Sequence, residues 1–268
     1  MLYQLGLILS LGAAIACSSG SDEAAQPAVS EAVSDTGSFK VVKLYEELSN
    51  PWGMAWLPDG RMLVTERSGE ILVFKDDKFT GQKLTGVPKV FAEGQGGLMD
   101  IQVHPAYAQN GWIYITYSKP MTGGGATAVM RFKLRGNAVT DKQDIFVAKP
   151  ALSAGIHFGS RIVWDKAGFL YVSVGERGTQ PKVQELNNDH GKIHRIYDDG
   201  RIPADNPFVN EAGASKSIWT LGHRNPQGMV YDATADRIWA VEHGPKGGDE
   251  LNLIEKGKNY GWPKTSHG

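Results

Sequence analysis

Four stretches of this chain gather residues able to do chemistry in loops that packing alone does not require. His157 stands in Ala154-Gly155-Ile156-His157-Phe158-Gly159-Ser160-Arg161, between two glycines that allow close approach of a ligand. An imidazole there could take a proton near neutral pH. Arg224 and Asn225, in Gly222-His223-Arg224-Asn225-Pro226-Gln227-Gly228, offer a guanidinium for developing negative charge and an amide to orient a carbonyl or hydroxyl. Gly244-Pro245-Lys246-Gly247-Gly248-Asp249-Glu250 presents bare carbonyls beside carboxylates, the hard oxygen donors that calcium takes. No helical pattern follows that loop, which argues against a phosphate cradle. Gln95, in Glu93-Gly94-Gln95-Gly96-Gly97, is a further glycine-bracketed polar residue.

Each has a plainer alternative when taken alone. A loop histidine more often bonds backbone, Arg224 fits a surface turn, and 244–250 fits a long hairpin loop with solvated acids. The chain has no His/Cys spacing of a metal site and no Gly-x-Ser-x-Gly nucleophile elbow.

The elements that must position these loops read as strands. Pro58-Asp59-Gly60 feeds Arg61-Met62-Leu63-Val64-Thr65, and Gln109-Asn110-Gly111 feeds Trp112-Ile113-Tyr114-Ile115-Thr116. Asp165-Lys166-Ala167-Gly168 feeds Phe169-Leu170-Tyr171-Val172-Ser173, and Thr234-Ala235-Asp236 feeds Arg237-Ile238-Trp239-Ala240-Val241. Residues 71–74, 128–134, 192–197 and 251–254 fit further strands. A turn feeding a β-rich run, recurring every ~50–70 residues, predicts propeller blades of about four antiparallel strands each. An open β-sandwich with decorated loops is the competing arrangement, favoured only by the uneven spacing. No helix longer than a turn or two is expected.

With 28 Lys and Arg against 29 Asp and Glu, the charge is balanced, which argues against a nucleic-acid partner. Residues 1–17 read as a lipoprotein-type signal peptide: an apolar run too short to span a membrane as a mature helix, then Ala14-Ile15-Ala16-Cys17. Cys17 would be lipidated, the alternative being an ordinary secretory signal. Residues 18–38, rich in Ser, Ala, Glu and Asp, are expected to form a disordered tether, and 39–268 the propeller domain. Either signal implies a periplasmic or outer-membrane-anchored bacterial protein. A single cysteine excludes an intrachain disulfide.

Five pieces in order resemble one family: PWGMAWLPDGRMLVTERSGEI (51–71), GQGGLMDIQVHP (94–105), HFGSRI (157–162), GHRNPQGM (222–229) and EHGPKGGDELNLIEKGKNYGWP (242–263). They are similar to the soluble PQQ-dependent aldose sugar dehydrogenases, the glucose/sorbosone dehydrogenase family, and the resemblance runs from about residue 40 to 268. It implies an all-β, six-bladed β-propeller, with only about four blades in this chain. It implies pyrroloquinoline quinone (PQQ) and calcium at one end of the axis. His157 would be the general base on the anomeric hydroxyl of an aldose, with hydride passing to the quinone and a lactone as product. Arg224 and Asn225 would contact the quinone oxygens, Arg224 stabilising the reduced anion, and Gln95 would bond near the reactive centre. Main-chain carbonyls of Gly244 and Pro245 would hold the calcium, and Glu250 and Tyr260 match positions of a second, structural calcium that could lie near a subunit contact in a homodimer. The family's later blades add a cationic wall for the PQQ carboxylates beyond residue 268, so these residues alone are expected to bind PQQ weakly. The sugar and the electron acceptor are not named by the resemblance. Two other functions fit a propeller. A metal-dependent lactonase-like hydrolase would need carboxylates converging on an axial metal, and a non-catalytic binding propeller would lack the cofactor residues.

Overall fold

The computed structural model describes residues 29–34 and 37–266, in two compact units, 1–44 and 45–268. The expected signal peptide, Cys17 and residues 18–28 lie outside the described residues. In the first unit β1 (Val29–Ser34) pairs antiparallel with β2 (Gly37–Val42). Valines at 29, 33, 41 and 42 give the segment a strand propensity that its polar composition masks.

The second unit holds four antiparallel sheets, each a meander in chain order. The first comprises β3 (Pro51–Trp56), β4 (Arg61–Glu66), β5 (Glu70–Lys75) and β6 (Lys78–Lys83). The second comprises β7 (Leu98–Val103), β8 (Ile113–Met121), β9 (Gly124–Arg135) and β10 (Ala138–Val147). The third comprises β11 (Ile162–Trp164), β12 (Leu170–Val174), β13 (Lys192–Ile196) and β14 (Ile218–Leu221). The fourth has three strands, β15 (Pro226–Asp232), β16 (Arg237–Glu242) and β17 (Glu250–Ile254), where about four were expected. First strands pack in succession, β3 on β7, β7 on β11 and β11 on β15. Sheets that share an inner row of first strands are propeller blades. The four repeated turn-strand units are the hairpins from first to second strand of each blade, and the further runs are the third strands. Among the described residues the only helical pieces are α1 (Tyr107–Asn110) and a 3-10 turn (Gln180–Gln184), and no helix is long and apolar enough to cross a membrane.

Apolar layers fill the spaces between blades. Leu63, Ile71 and Val73 meet Ile101, Ile113 and Phe132; Tyr114 and Val129 meet Ile162, Trp164 and Leu170; Tyr171 and Ile193 meet Ile238, Ala240 and Ile254. Each such side chain contributes about 1.5–3 kcal/mol by leaving water. Strands β12 and β13 are buried along their whole length because both faces are covered. β12 accordingly reads as a near-continuous apolar run, whereas β13 buries Lys192 and His194 on hydrogen bonds to His190 O and Asp189 O. Strand β16 alternates, with Val241 exposed between buried Ala240 and Glu242.

Arg161 ties the four blades together at the inner row. Its guanidinium lies 4.3 Å from the centroid of Trp52 in the first blade, and Nη1 is 2.8 Å from Asp100 Oδ1 in the second. From its own position before β11, Nε donates to Gln227 O of the fourth blade at 2.9 Å. Asp100 is fully buried and also accepts the Ile162 N–H at 3.0 Å. Burial raises its pKa, and the Arg161 charge opposes that rise.

In an antiparallel hairpin the start of one strand lies beside the end of the next. Loops that precede first strands and follow second strands therefore share one end of the blades. Residues 93–97, 155–161, 175–177, 222–225 and 243–249 all fall there.

Candidate active site

His157 adopts a left-handed backbone, φ 52°, which a non-glycine residue keeps only where its surroundings hold it. Its N–H donates to Gln95 Oε1 at 2.8 Å, and Gln95 N–H donates to Gly155 O at 2.7 Å, so two loops lock together. Nδ1 of the ring is hydrogen-bonded to Glu176 Oε1, and Glu176 is buried. This bond sets the proton on Nδ1 and leaves Nε2 with its lone pair. The second carboxylate oxygen, Glu176 Oε2, is buried with no protein partner.

The neighbouring Arg177, also buried, fixes the loop from behind. It donates to the carbonyls of Ile156 (3.0 Å), Gly125 (2.9 Å), Leu152 (3.1 Å) and Ala154, and its guanidinium stacks 3.7 Å from the Phe158 ring centroid. Burial pulls its pKa down to about 10, so it remains a cation at neutral pH. Gly175 allows the whole arrangement. A Cβ there would stand 2.1 Å from His157 O and 3.0 Å from Asn225 Oδ1.

Asn225 is buried and accepts the Gly159 N–H at 3.0 Å, joining the fourth blade to the His157 loop. Arg224 O accepts the Glu176 N–H at 2.9 Å. Glu242 holds the Arg224 loop from below: Oε2 accepts Arg224 N–H at 2.7 Å, and Oε1 meets His223 Nδ1 at 2.8 Å. Burial raises the Glu242 pKa, but His223 and the backbone N–H groups of Arg224 and Asn225 outweigh it, and the net shift is downward. The Arg224 side chain donates Nη1 to His243 O at 3.2 Å, while its Nε is buried and meets no acceptor.

Arg224, Glu242, His243, Gly244, Gly248, Glu250 and Trp262 line one cleft. The loop 244–249 is the β16–β17 hairpin connection, closed by Gly244 N–H on Asp249 Oδ1 at 2.9 Å. Among the described residues no hydrogen bond reaches the Gly244 or Pro245 carbonyl oxygens, and no three His, Cys, Asp or Glu side chains gather as a metal site. A calcium ion here would therefore depend on carbonyl oxygens, which suit it. Tyr260 is committed elsewhere: its hydroxyl donates to Leu253 O and accepts the Glu255 N–H at 3.0 Å, at the end of β17 remote from Glu250. The Glu250 carboxylate accepts Asn252 Nδ2 at 3.1 Å. Their side chains are not brought together, leaving the main chain as the donor Tyr260 could offer a metal.

The fold thus gathers Gln95, His157, Arg224 and Asn225 at one end, with Gly244 lining the adjoining cleft and Pro245 next to it in the same loop. These residues fit an anionic, oxygen-rich cofactor such as PQQ: Arg224 keeps an unmet buried donor beside bare carbonyls for a cation. Sequence reasoning missed Glu176 and Arg177, whose only signal was a pair of charges ending the apolar run of β12.

The family model for glucose / sorbosone dehydrogenase matches residues 48–268. Aldose sugar dehydrogenase YliI of Escherichia coli is 44% identical over 229 residues, covering 84% of this chain and 62% of its own length. The apo-form crystal structure of the soluble aldose sugar dehydrogenase from Escherichia coli matches with a TM-score of 0.81 at 42% identity, over 89% of this chain and 67% of that one. The PQQ-bound aldose sugar dehydrogenase from Streptomyces coelicolor matches with a TM-score of 0.72 at 31% identity, over 90% of this chain and 69% of that one. The chain spans 52–62% of the length of three curated relatives that it matches along most of its own length. With four propeller blades in the same arrangement and the family model matched across them, the chain belongs to the glucose/sorbosone dehydrogenase family.

Proposed function

We propose that this chain carries the PQQ- and calcium-dependent oxidation of an aldose at its anomeric carbon to the lactone, with His157 as general base. The observation that carries the reading is the His157–Glu176 pair, set beside Asn225 and Arg224 at the shared end of the blades. A PQQ-bound member of the family supports the cofactor.

When bound, PQQ supplies the two-electron acceptor for the hydride leaving the anomeric carbon. His157 Nε2 takes the proton of the anomeric hydroxyl. Glu176, fixed on Nδ1, keeps that tautomer and offsets the positive charge the ring gains. The Arg224 guanidinium stands where negative charge would accumulate, and the Asn225 amide orients an oxygen. Gly244 and Pro245 would offer carbonyl oxygens to the calcium. The signal-like segment 1–17 supports action in the periplasm, and near-balanced charge supports a small-molecule substrate over nucleic acid.

A PQQ titration of the purified chain, with and without calcium, tests the reading. Saturable binding that needs calcium is expected. Absence of binding, or binding indifferent to calcium and to Arg224→Ala, would overturn it.

A further inference from the structure

Trp262 lines the same cleft without an assigned part. Its backbone is pinned on both sides: the N–H donates to Gly222 O at 2.9 Å, and the carbonyl accepts Gln184 Nε2 at 2.7 Å. Gln184 and Asn259 exchange amide bonds of 3.1 and 2.6 Å, and Tyr260 N–H donates to Leu221 O at 2.9 Å. The turn 259–262 is thereby fixed to the loop that carries Arg224. The indole lies against the Arg224 guanidinium, 5.4 Å from carbon to ring centroid.

Two N–H donors in this stack, Arg224 Nε and Trp262 Nε1, are shielded from solvent and meet no acceptor. Leaving one buried donor unmet costs about 1–3 kcal/mol. Two on touching side chains, in one cleft, call for an acceptor that arrives with a ligand.

We infer that Trp262 Nε1–H and Arg224 Nε–H form a paired donor site for an anionic oxygen of the bound quinone cofactor, with the indole also holding the guanidinium in place. This rests on the proposal that PQQ binds beside Arg224 at the shared end of the blades. Stacking on the ring limits the rotamers of Arg224, and the pinned turn limits those of Trp262. Both donors are therefore oriented before the ligand arrives.

The test compares PQQ dissociation constants, with calcium present, for the unsubstituted chain, Trp262→Phe and Trp262→Leu. Phe keeps an aromatic face and removes only the N–H, so affinity is expected to fall about tenfold, the loss of one bond to a charged acceptor. Leu removes the stack as well and should bind more weakly still. Melting temperatures without PQQ should stay within a few degrees. A second readout needs no substitution: the Trp262 indole N–H resonance should move downfield when PQQ is added to the unsubstituted chain. Equal affinity of Trp262→Phe, or an indole resonance that does not move, would overturn the paired-donor site while leaving the cofactor reading intact. An unsubstituted chain that binds no PQQ would remove both.

Discussion

The His157 ring is hydrogen-bonded through Nδ1 to Glu176 Oε1, and the two residues come from opposite arms of one hairpin. His157 precedes β11 and Glu176 follows β12; Ile162 pairs with Val172, so antiparallel geometry alone brings their loops together. Glu176→Gln keeps the size of the side chain and removes the charge. Turnover at saturating PQQ should fall about 10²- to 10⁴-fold. The PQQ dissociation constant should change little. Unaltered turnover would take Glu176 out of the mechanism.

Gly175 makes that pairing spatially feasible. In Gly175→Ala the new methyl would start 2.1 Å from His157 O, against backbone that cannot rotate away. The His157 loop must shift, at a cost of about 1–3 kcal/mol in stability. Dye-linked turnover should drop far more than unfolding free energy does. A variant with wild-type turnover would show that the loop tolerates displacement.

Arg161 is expected to be a main contributor to blade cohesion. Arg161→Leu leaves the buried Asp100 carboxylate without its cation, and denaturant unfolding should show a loss of about 3–5 kcal/mol. Adding Asp100→Asn to that variant removes the unpaired charge and should recover part of the loss. No recovery would mean that Arg161 acts through its Trp52 and Gln227 contacts.

Acid sensitivity has an identifiable source. His190 is buried, donates Nε2–H to Pro150 O at 2.9 Å, and has its pKa pushed down to about 4 by burial. Between pH 6.5 and 4 the unfolded chain takes up a proton that the folded chain refuses, so stability falls as pH falls across that window. The contribution is on the order of 3 kcal/mol. Buried His194 is shifted in the same direction. His190→Gln should flatten the stability profile in this range, and an unchanged slope would assign the acid sensitivity to other groups.

The second and third strands of each blade were legible because turn residues mark the hairpins and the runs they feed are rich in β-branched, aromatic and other apolar residues. The inner strands were not. Strand β7 carries Asp100 and Gln102 and β11 has three residues, so neither shows a clean period. At the inner row a charged tie, Arg161 to Asp100, joins the blades beside apolar residues such as Ile101 and Ile162. In the site, His157, Arg224, Asn225 and Gln95 stood out as polar residues among glycines that packing did not demand. Glu176 did not, because its partner is 19 residues away and only strand pairing joins them. The side chains of Glu250 and Tyr260 fall at opposite ends of β17, a separation that their shared motif hides.

The proposed role of His157, oriented by Glu176, as the base for aldose oxidation is open to direct measurement. Its most direct test is dye reduction by the PQQ- and calcium-loaded chain with glucose as substrate, beside His157→Ala loaded to the same extent. Lactone formation is expected from the unsubstituted chain, with a loss of at least about 10²-fold in the variant and PQQ retained. Equal turnover by the two would contradict that role.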